Sequence, residues 1–147
     1  MKRKNNNNKK QQYEFKSRFE ETVNSHLQEQ ERENKYEVDT IPYIQPEVKR
    51  KYKPDFKIAD DVYIECKGIF SLDDRKKMLL VKEQHPDKKF YILFYNAYQK
   101  LRKGSKTTYA EWCEKHGFDY ADWFRSGRQI PLEWFDNKKE KETNNGN

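Results

Sequence analysis

Hydrophobic residues recur with two different periods along this chain, and the change of period outlines its elements. Near the start, Phe19, Val23 and Leu27 are spaced four residues apart, as on one face of an α-helix. Ser17 lies just before them at capping-box spacing from Glu20. The pattern therefore predicts a helix that begins near Ser17.

Further helices are predicted where caps and stop signals flank helical stretches. A helix over about 71–85 begins at a Ser-x-x-Asp cap and ends before Pro86. Another helix, over about 108–117, begins at a Thr-x-x-Glu cap and ends at a glycine, which readily adopts the left-handed conformation of a helix end. Pro131 favours a last short helix that carries Trp134.

Apolar runs with a shorter period predict strands between these helices. Residues 36–44 form one extended segment, whose proline suits an edge strand or an exposed connection. Residues 52–58 and 62–67 are typical of a hairpin, and 89–95 of a buried strand that leads into a basic loop over 96–107. Because strands and helices mix around one sheet, the fold class is α/β or α+β, in a single domain.

The predicted hairpin has one apolar and one charged face when its turn is placed at 59–61. Alternate residues of a strand point to opposite faces of the sheet. The apolar face consists of Phe56, Ile58, Val62, Ile64 and Cys66. The other face consists of Lys53, Asp55, Lys57, Tyr63, Glu65 and Lys67.

In this register Asp55 lies directly opposite Glu65, so the two carboxylates repel each other unless a cation compensates. Hard divalent cations prefer such oxygen ligands and keep several waters. Lys67, two residues after Glu65, lies on the same face of the strand, where its ammonium could contact a phosphate oxygen. The pattern predicts metal-assisted phosphodiester hydrolysis, and the alternative is an ordinary solvent-facing strand whose charges are screened by Lys53 and Lys57.

The net charge of +6 lies entirely in the two tails of the chain. Residues 1–12 form a basic arm, and neither they nor 138–147 carry enough apolar side chains to order, so both are predicted to be disordered. The body, 13–137, has no net charge. Its basic clusters at 49–53 and 100–106 suit phosphate contacts, although solvated surface lysines give the same pattern.

Cysteine usage and hydropathy exclude several protein classes. Cys66 and Cys113 are isolated, so neither disulfides nor a structural zinc site is expected. The sequence contains no apolar run long enough for a membrane helix and no signal peptide. A cytoplasmic protein without membrane contact is therefore expected.

Pro-Asp followed ten residues later by Glu-x-Lys resembles the PD-(D/E)xK signature of restriction-endonuclease-like nucleases. The segments YKPDF, IECKG, DDRKKMLLVKEQHP, KLRKGSKTTYAEWCEKHG and IPLEW, in this order, are similar to those of the phage endonuclease I family. The resemblance implies a mixed central β-sheet flanked by helices, in a domain-swapped homodimer. It also implies an Mg²⁺- or Mn²⁺-dependent endonuclease that resolves four-way (Holliday) and other branched DNA junctions.

The resemblance also implies roles for particular residues. The family's metal-binding carboxylates fall on Asp55 and Glu65, its catalytic lysine on Lys67, and a further active-site glutamate on Glu20. The bridge through which family dimers exchange elements falls at about 41–53, so Glu20 is expected to act in trans with the other three residues. A simple cap at Ser17 is the alternative role of Glu20. Residues 122–130 are interpreted as an insertion.

Other assignments stay open at this stage. Candidate phosphate contacts, which are equally typical of solvated surface, are Lys16, Arg18, Arg75, Lys76 and Lys77. Three tryptophans suit packing or stacking on bases. The alternatives to a resolvase are a nuclease of the same fold acting on mismatched, nicked or duplex DNA, a non-catalytic DNA-binding protein, and an interaction protein with an inert hairpin.

Overall fold

The computed structural model describes residues 15–45 and 48–136, so the tails predicted to be disordered, 1–12 and 138–147, lie outside the described residues. The helices are α1 (Arg18–Glu29), α2 (Leu72–Gln84), α3 (Tyr109–His116) and a short 3-10 helix (Leu132–Phe135). The strands are β1 (Lys35–Tyr36), β2 (Ile41–Gln45), β3 (Val48–Tyr52), β4 (Phe56–Ala59), β5 (Val62–Lys67), β6 (Lys89–Phe94) and β7 (Asp119–Asp122).

A five-stranded mixed sheet, ordered β1-β4-β5-β6-β7, forms the centre of the fold. β4 is antiparallel to both β1 and β5, whereas β5, β6 and β7 run parallel to one another. Parallel neighbours need crossover connections, which α2 and α3 supply. The predicted mixed sheet flanked by helices is therefore confirmed.

Apolar side chains bury both faces of this sheet. On one face α1 and the 3-10 helix pack against the strands, and Leu27 and Trp134 are among their buried side chains. On the other face lie α2, α3 and the β2–β3 hairpin, which contribute Met78, Trp112 and Ile41. The result is a layered α/β arrangement in which the strands between the two layers are shielded from water.

The predicted helices are confirmed, with differences in how they are capped. α2 begins with a complete capping box, in which the side chains of Ser71 and Asp74 each accept a hydrogen bond from the backbone of the other. α1 and α3 have only half of such a box, because their glutamate side chains do not return to the cap backbone. Gly117 ends α3 in the left-handed conformation.

Several predicted strands differ from the observed ones. The single strand predicted over 36–44 is two short strands in different sheets, and β3 and β7 were not predicted. Within one chain the residues of the expected bridge, about 41–53, form a hairpin in which β2 and β3 make five residue pairs. This pairing satisfies backbone groups that an extended bridge would leave to water or to another chain. Exchange of elements through this segment stays a prediction, because it concerns a second chain.

The register of the β4–β5 hairpin is confirmed, since Phe56 pairs with Ile64 and Lys57 with Tyr63. A bulge then shifts the register by one residue before the turn at 60–61. The centre of the face predicted to be charged is buried under the β2–β3 hairpin and α2, whereas Lys53 at its edge is exposed. Tyr63 is 3% exposed and Glu65 is 5% exposed. The alternative of a solvent-facing strand is therefore wrong.

Residues 122–130, interpreted as an insertion, are part of the folded body. Trp123 and Ile130 are buried in the core on the α1 side. The Asp122 carboxylate accepts hydrogen bonds from the backbone N–H groups of Ala97 (2.8 Å) and Arg125 (2.9 Å), which ties this segment to the loop after β6. All three tryptophans are buried, which favours packing over stacking on bases. No helix in the described part of the chain is long and apolar enough to cross a membrane.

The 3-10 helix provides a test of whether the late segment IPLEW stabilises the domain. Trp134 is 4% exposed and stacks on Tyr91 with ring centroids 4.4 Å apart. Trp134→Ala should lower the free energy of unfolding by about 3–5 kcal/mol, because it opens a cavity beside the sheet. Leu132→Ala, on the same helix but 58% exposed, should change it by less than about 0.5 kcal/mol. Equal effects of the two variants in urea denaturation would show that Trp134 is not part of the core.

Candidate active site

The predicted site residues meet at one end of the central sheet. Glu65 and Lys67 lie on the carboxyl-terminal half of β5, and Asp55 immediately precedes the antiparallel strand β4. The carboxyl ends of parallel strands are the usual location of ligand sites in open α/β sheets. The register that was read from the sequence therefore brings the two carboxylates to the same edge.

Backbone and side-chain donors hold the two carboxylates in place. Oδ2 of Asp55 accepts a hydrogen bond from the Cys66 backbone N–H at 2.8 Å. Oε2 of Glu65 accepts one from the Asp55 backbone N–H at 3.3 Å and another from the Tyr52 hydroxyl. Each carboxylate is thus fixed by the strand that carries the other.

Burial makes this pair of acids costly to ionise together. Burial, and then the charge of Glu65, raises the pKa of Asp55 from 3.8 to about 9. Burial also raises the pKa of Glu65, and this effect is only partly opposed by Lys67 and the Tyr52 hydroxyl. The pair therefore retains a proton at neutral pH unless a cation replaces it.

Lys67 carries a positive charge beside the pair. Its Nζ lies 3.6 Å from Oε1 of Glu65 and 3.3 Å from Oδ1 of Asp74, at the start of α2. Burial alone would lower the pKa of Lys67, but the charges of Glu65 and Asp74 outweigh it and the pKa is raised. The group is therefore an ammonium ion that can donate hydrogen bonds to an anion, rather than a free base.

Glu20 also lies in this region, on the first turn of α1. Its Oε1 accepts a hydrogen bond from the Tyr36 hydroxyl and its Oε2 from the Ser17 hydroxyl, each at 2.7 Å. Its charge contributes to the raised pKa of Asp55, so a single chain brings these two carboxylates near each other. Its contact with the cap residue Ser17 and its proximity to Asp55 thus coexist, and a catalytic role of Glu20 stays a prediction. Action in trans stays a prediction, because it concerns a second chain.

The donor set of Asp55 and Glu65 suits a hard divalent cation. Both ligands are carboxylate oxygens, and an ion there would offset the repulsion of the buried pair. Within residues 15–45 and 48–136 no group of three or more His, Cys, Asp and Glu side chains is placed to hold an ion. Two carboxylates suffice for Mg²⁺, which usually keeps several waters.

Comparison with known proteins identifies the family. Residues 1–146 match the family model described as phage endonuclease I. Endodeoxyribonuclease 1 of Enterobacteria phage T3 is 39% identical over 132 residues, which cover 85% of this chain and 87% of that protein. Endonuclease I of Escherichia phage T7 is 39% identical over 127 residues, which cover 86% of this chain and 82% of that protein. The chain belongs to the phage endonuclease I family. The resemblance identified in the sequence is confirmed.

Three site residues of this endonuclease I family member were not recognised from the sequence. No site role was predicted for Tyr52, at the start of the hairpin, for Asp74, a helix cap, or for Tyr36, the start of a strand. Their hydroxyl or carboxylate groups contact Glu65, Lys67 and Glu20, respectively. Only the cap at Asp74 left a signal in the sequence, because the other two contacts depend on how distant segments pack.

The candidate phosphate contacts have different environments. Lys16, Arg18 and Lys76 are exposed, and Lys16 forms a 2.9 Å ion pair with Glu37. Lys77 is half-buried, and its Nζ lies 5.0 Å from the centre of the Tyr52 ring. Arg75 is only 8% exposed, and its buried Nη1 has no hydrogen-bond partner among the described residues. Lys76 and Lys77 are thus better placed than Arg75 to meet a ligand at the surface.

The raised pKa of Asp55 predicts a pH dependence of stability. Because the folded protein binds this proton more tightly than the unfolded chain, its contribution to stability is complete near pH 4 and is lost as the pH rises toward about 9. In buffer with a chelator, the free energy of unfolding of the wild type should fall between pH 5 and pH 8.5 relative to that of Asp55→Asn. Parallel pH profiles of the two proteins in urea denaturation would contradict the buried pair.

Proposed function

We propose that this protein is a metal-dependent endodeoxyribonuclease that resolves four-way and other branched DNA junctions. The observation that carries the proposal is the pairing of half-buried Asp55 with buried Glu65 beside the charged Lys67. The names of the relatives, an endodeoxyribonuclease and an endonuclease, support cleavage of DNA as the reaction. The family resemblance implies that the protein resolves junctions, and cleavage of a four-way junction tests this activity.

Asp55 and Glu65 would hold Mg²⁺ or Mn²⁺ against the scissile phosphate. A divalent cation supplies Lewis-acid polarisation of the phosphate and a more acidic water. The Lys67 ammonium donates hydrogen bonds to the phosphate oxygens and stabilises the negative charge that develops during in-line attack. Glu20 adds a third carboxylate near Asp55 that can accept a hydrogen bond from the attacking water.

A basic groove leads to this site from the surface. It lies between the β2–β3 hairpin and α2, has a volume of about 770 Å³, and contains both cations and acids. Its charged residues are Arg50, Lys51, Asp73, Asp74, Lys76 and Lys77. Because Asp74 also contacts Lys67, a phosphate backbone in the groove would pass directly beside the active site.

A homodimer suits the proposed substrate. A four-way junction presents two symmetry-related strands, and a two-fold dimer would place one site at each of them. We infer that exchange of α1 between chains, through the segment at about 41–53, would bring Glu20 to the partner's Asp55, Glu65 and Lys67. Within one chain the charge of Glu20 acts on Asp55, and an exchange would keep the two carboxylates close to each other.

Cleavage in Mg²⁺ tests the assigned residues. Glu65→Gln and Lys67→Ala should each lower the single-turnover cleavage rate by about 10²-fold or more, because they remove a ligand charge and a charge-stabilising donor. A chelator should abolish cleavage by the wild type. Lys57→Ala is the control: it removes a lysine of the same hairpin whose ion pair is with Asp39, and this variant should cut at nearly the wild-type rate. Undiminished cutting by Glu65→Gln or Lys67→Ala would contradict the site assignment. If the wild type binds DNA but does not cut it with a divalent cation, a non-catalytic DNA-binding protein would be favoured.

The choice of substrate is tested with matched DNA. A labelled four-way junction and linear duplexes with the sequences of its arms should be incubated with the wild type and Mg²⁺. We expect paired, symmetric nicks in the junction and little cutting of the duplexes. Equal cutting of all substrates would favour the alternative, a nuclease of the same fold that acts on duplex DNA.

A further inference from the structure

We propose that Tyr52 and Asp74 are positioning residues, which fix the Glu65 carboxylate and the Lys67 ammonium at the spacing that cleavage requires. The inference rests on the proposed nuclease function and extends it to two residues outside the PD-(D/E)xK pattern. Each of them touches one catalytic side chain from a different structural element, the β2–β3 hairpin for Tyr52 and the α2 start for Asp74.

Tyr52 determines which oxygen of Glu65 is available to the site. Its hydroxyl and the Asp55 backbone N–H both donate to Oε2 of Glu65, which leaves Oε1 facing Lys67. Tyr52 is 3% exposed, and its ring packs near Phe90 and lies 5.0 Å from the Nζ of Lys77. The phenol is therefore held by packing and acts as a rigid support for the carboxylate.

Asp74 divides its two oxygens between a structural and a functional contact. Oδ2 accepts from the Ser71 backbone N–H at 3.1 Å and completes the capping box of α2. Oδ1 lies 3.3 Å from the Nζ of Lys67 and 3.9 Å from that of Lys77. The helix start thus fixes the carboxylate, and the carboxylate fixes Lys67 at the end of β5.

The two contacts oppose the collapse of Lys67 onto Glu65. Opposite charges 3.6 Å apart in a buried site attract strongly, and a closer pair would turn the ammonium away from a phosphate. Asp74 draws Lys67 toward α2, while the Tyr52 hydroxyl keeps Glu65 on the side of Asp55. Loss of either contact would displace a catalytic group without removing it, and displacements of about 1 Å can cost about 10²-fold in rate.

Asp74 is tested against a matched cap variant. Asp74→Asn keeps a side-chain oxygen for the Ser71 N–H but loses the charge that holds Lys67. Ser71→Ala removes the other half of the capping box, the 3.1 Å bond from the Asp74 N–H, and leaves the carboxylate in place. We expect Asp74→Asn to lower the single-turnover cleavage rate by about ten-fold or more, with partial recovery in Asp74→Glu. Ser71→Ala should lower the melting temperature but keep the cleavage rate within about two-fold of the wild type.

Tyr52 is tested against a second buried tyrosine. Tyr52→Phe removes only the hydroxyl that holds Glu65, whereas Tyr63→Phe removes a hydroxyl that donates to Asp39 at 3.0 Å, away from the catalytic groups. Tyr52→Phe should slow single-turnover cleavage by about ten-fold or more, and Tyr63→Phe should not. Binding to an uncut junction should be measured in buffer with a chelator. The dissociation constants of both variants should lie within about two-fold of the wild-type value.

The outcomes separate this inference from the function on which it rests. If the wild type cleaves and both Asp74→Asn and Tyr52→Phe cleave at its rate, the positioning roles are wrong and the nuclease assignment stands. If the rate falls equally in Asp74→Asn and Ser71→Ala, together with the melting temperature, Asp74 acts only as a cap. If the wild type cleaves no DNA with any divalent cation, the proposed function itself fails.

Discussion

The rest of the site depends on two acids that are held side by side, one of them buried (Glu65) and the other half-buried (Asp55). Asp55 and Glu65 are held together by backbone N–H donors of opposite strands, so neither carboxylate can move away without breaking a bond of the hairpin. Such an arrangement is unfavourable in the absence of a compensating cation, because two like charges are brought together away from water. Its persistence is explained if the protein uses the repulsion to bind a cation, in line with the general tendency of functional sites to carry strongly shifted pKa values.

The fold supplies this pair with rigid surroundings on three sides. β5 is an interior strand, paired with β4 on one side and β6 on the other, so Glu65 and Lys67 have little freedom of backbone movement. The hairpin and α2 close the face of the sheet on which these side chains lie, and each adds one contact to them. In the proposed active site stability and catalysis would therefore be linked, because elements that bury the core would also orient the reacting groups.

Local patterns in the sequence were enough to predict the helices, the β4–β5 register and the facing carboxylates. Each depends on residues close together in the chain, such as the cap at Ser71 or the alternation between Phe56 and Lys67. β7 was missed because Asp119–Asp122 is short and polar for a strand, and it is held by its parallel partner β6. Tyr52 and Tyr36 could not be recognised as site residues, because their contacts join segments whose packing no local pattern records.

The position of the β2–β3 hairpin explains how the same contacts could form within one chain and in the proposed domain-swapped dimer. Glu20 and β1 precede the hairpin, whereas Asp55 and β4 follow it, so the hairpin separates the two halves of the site in the sequence. Within one chain β1 pairs with β4 and the charge of Glu20 acts on Asp55, and in the proposed exchange the first half of the partner would make the same pairing. Tyr52 ends the hairpin and would stay beside Glu65 in either case, because only two residues separate it from Asp55. An exchange would thus replace the pairing of β2 with β3 and leave the catalytic geometry unchanged.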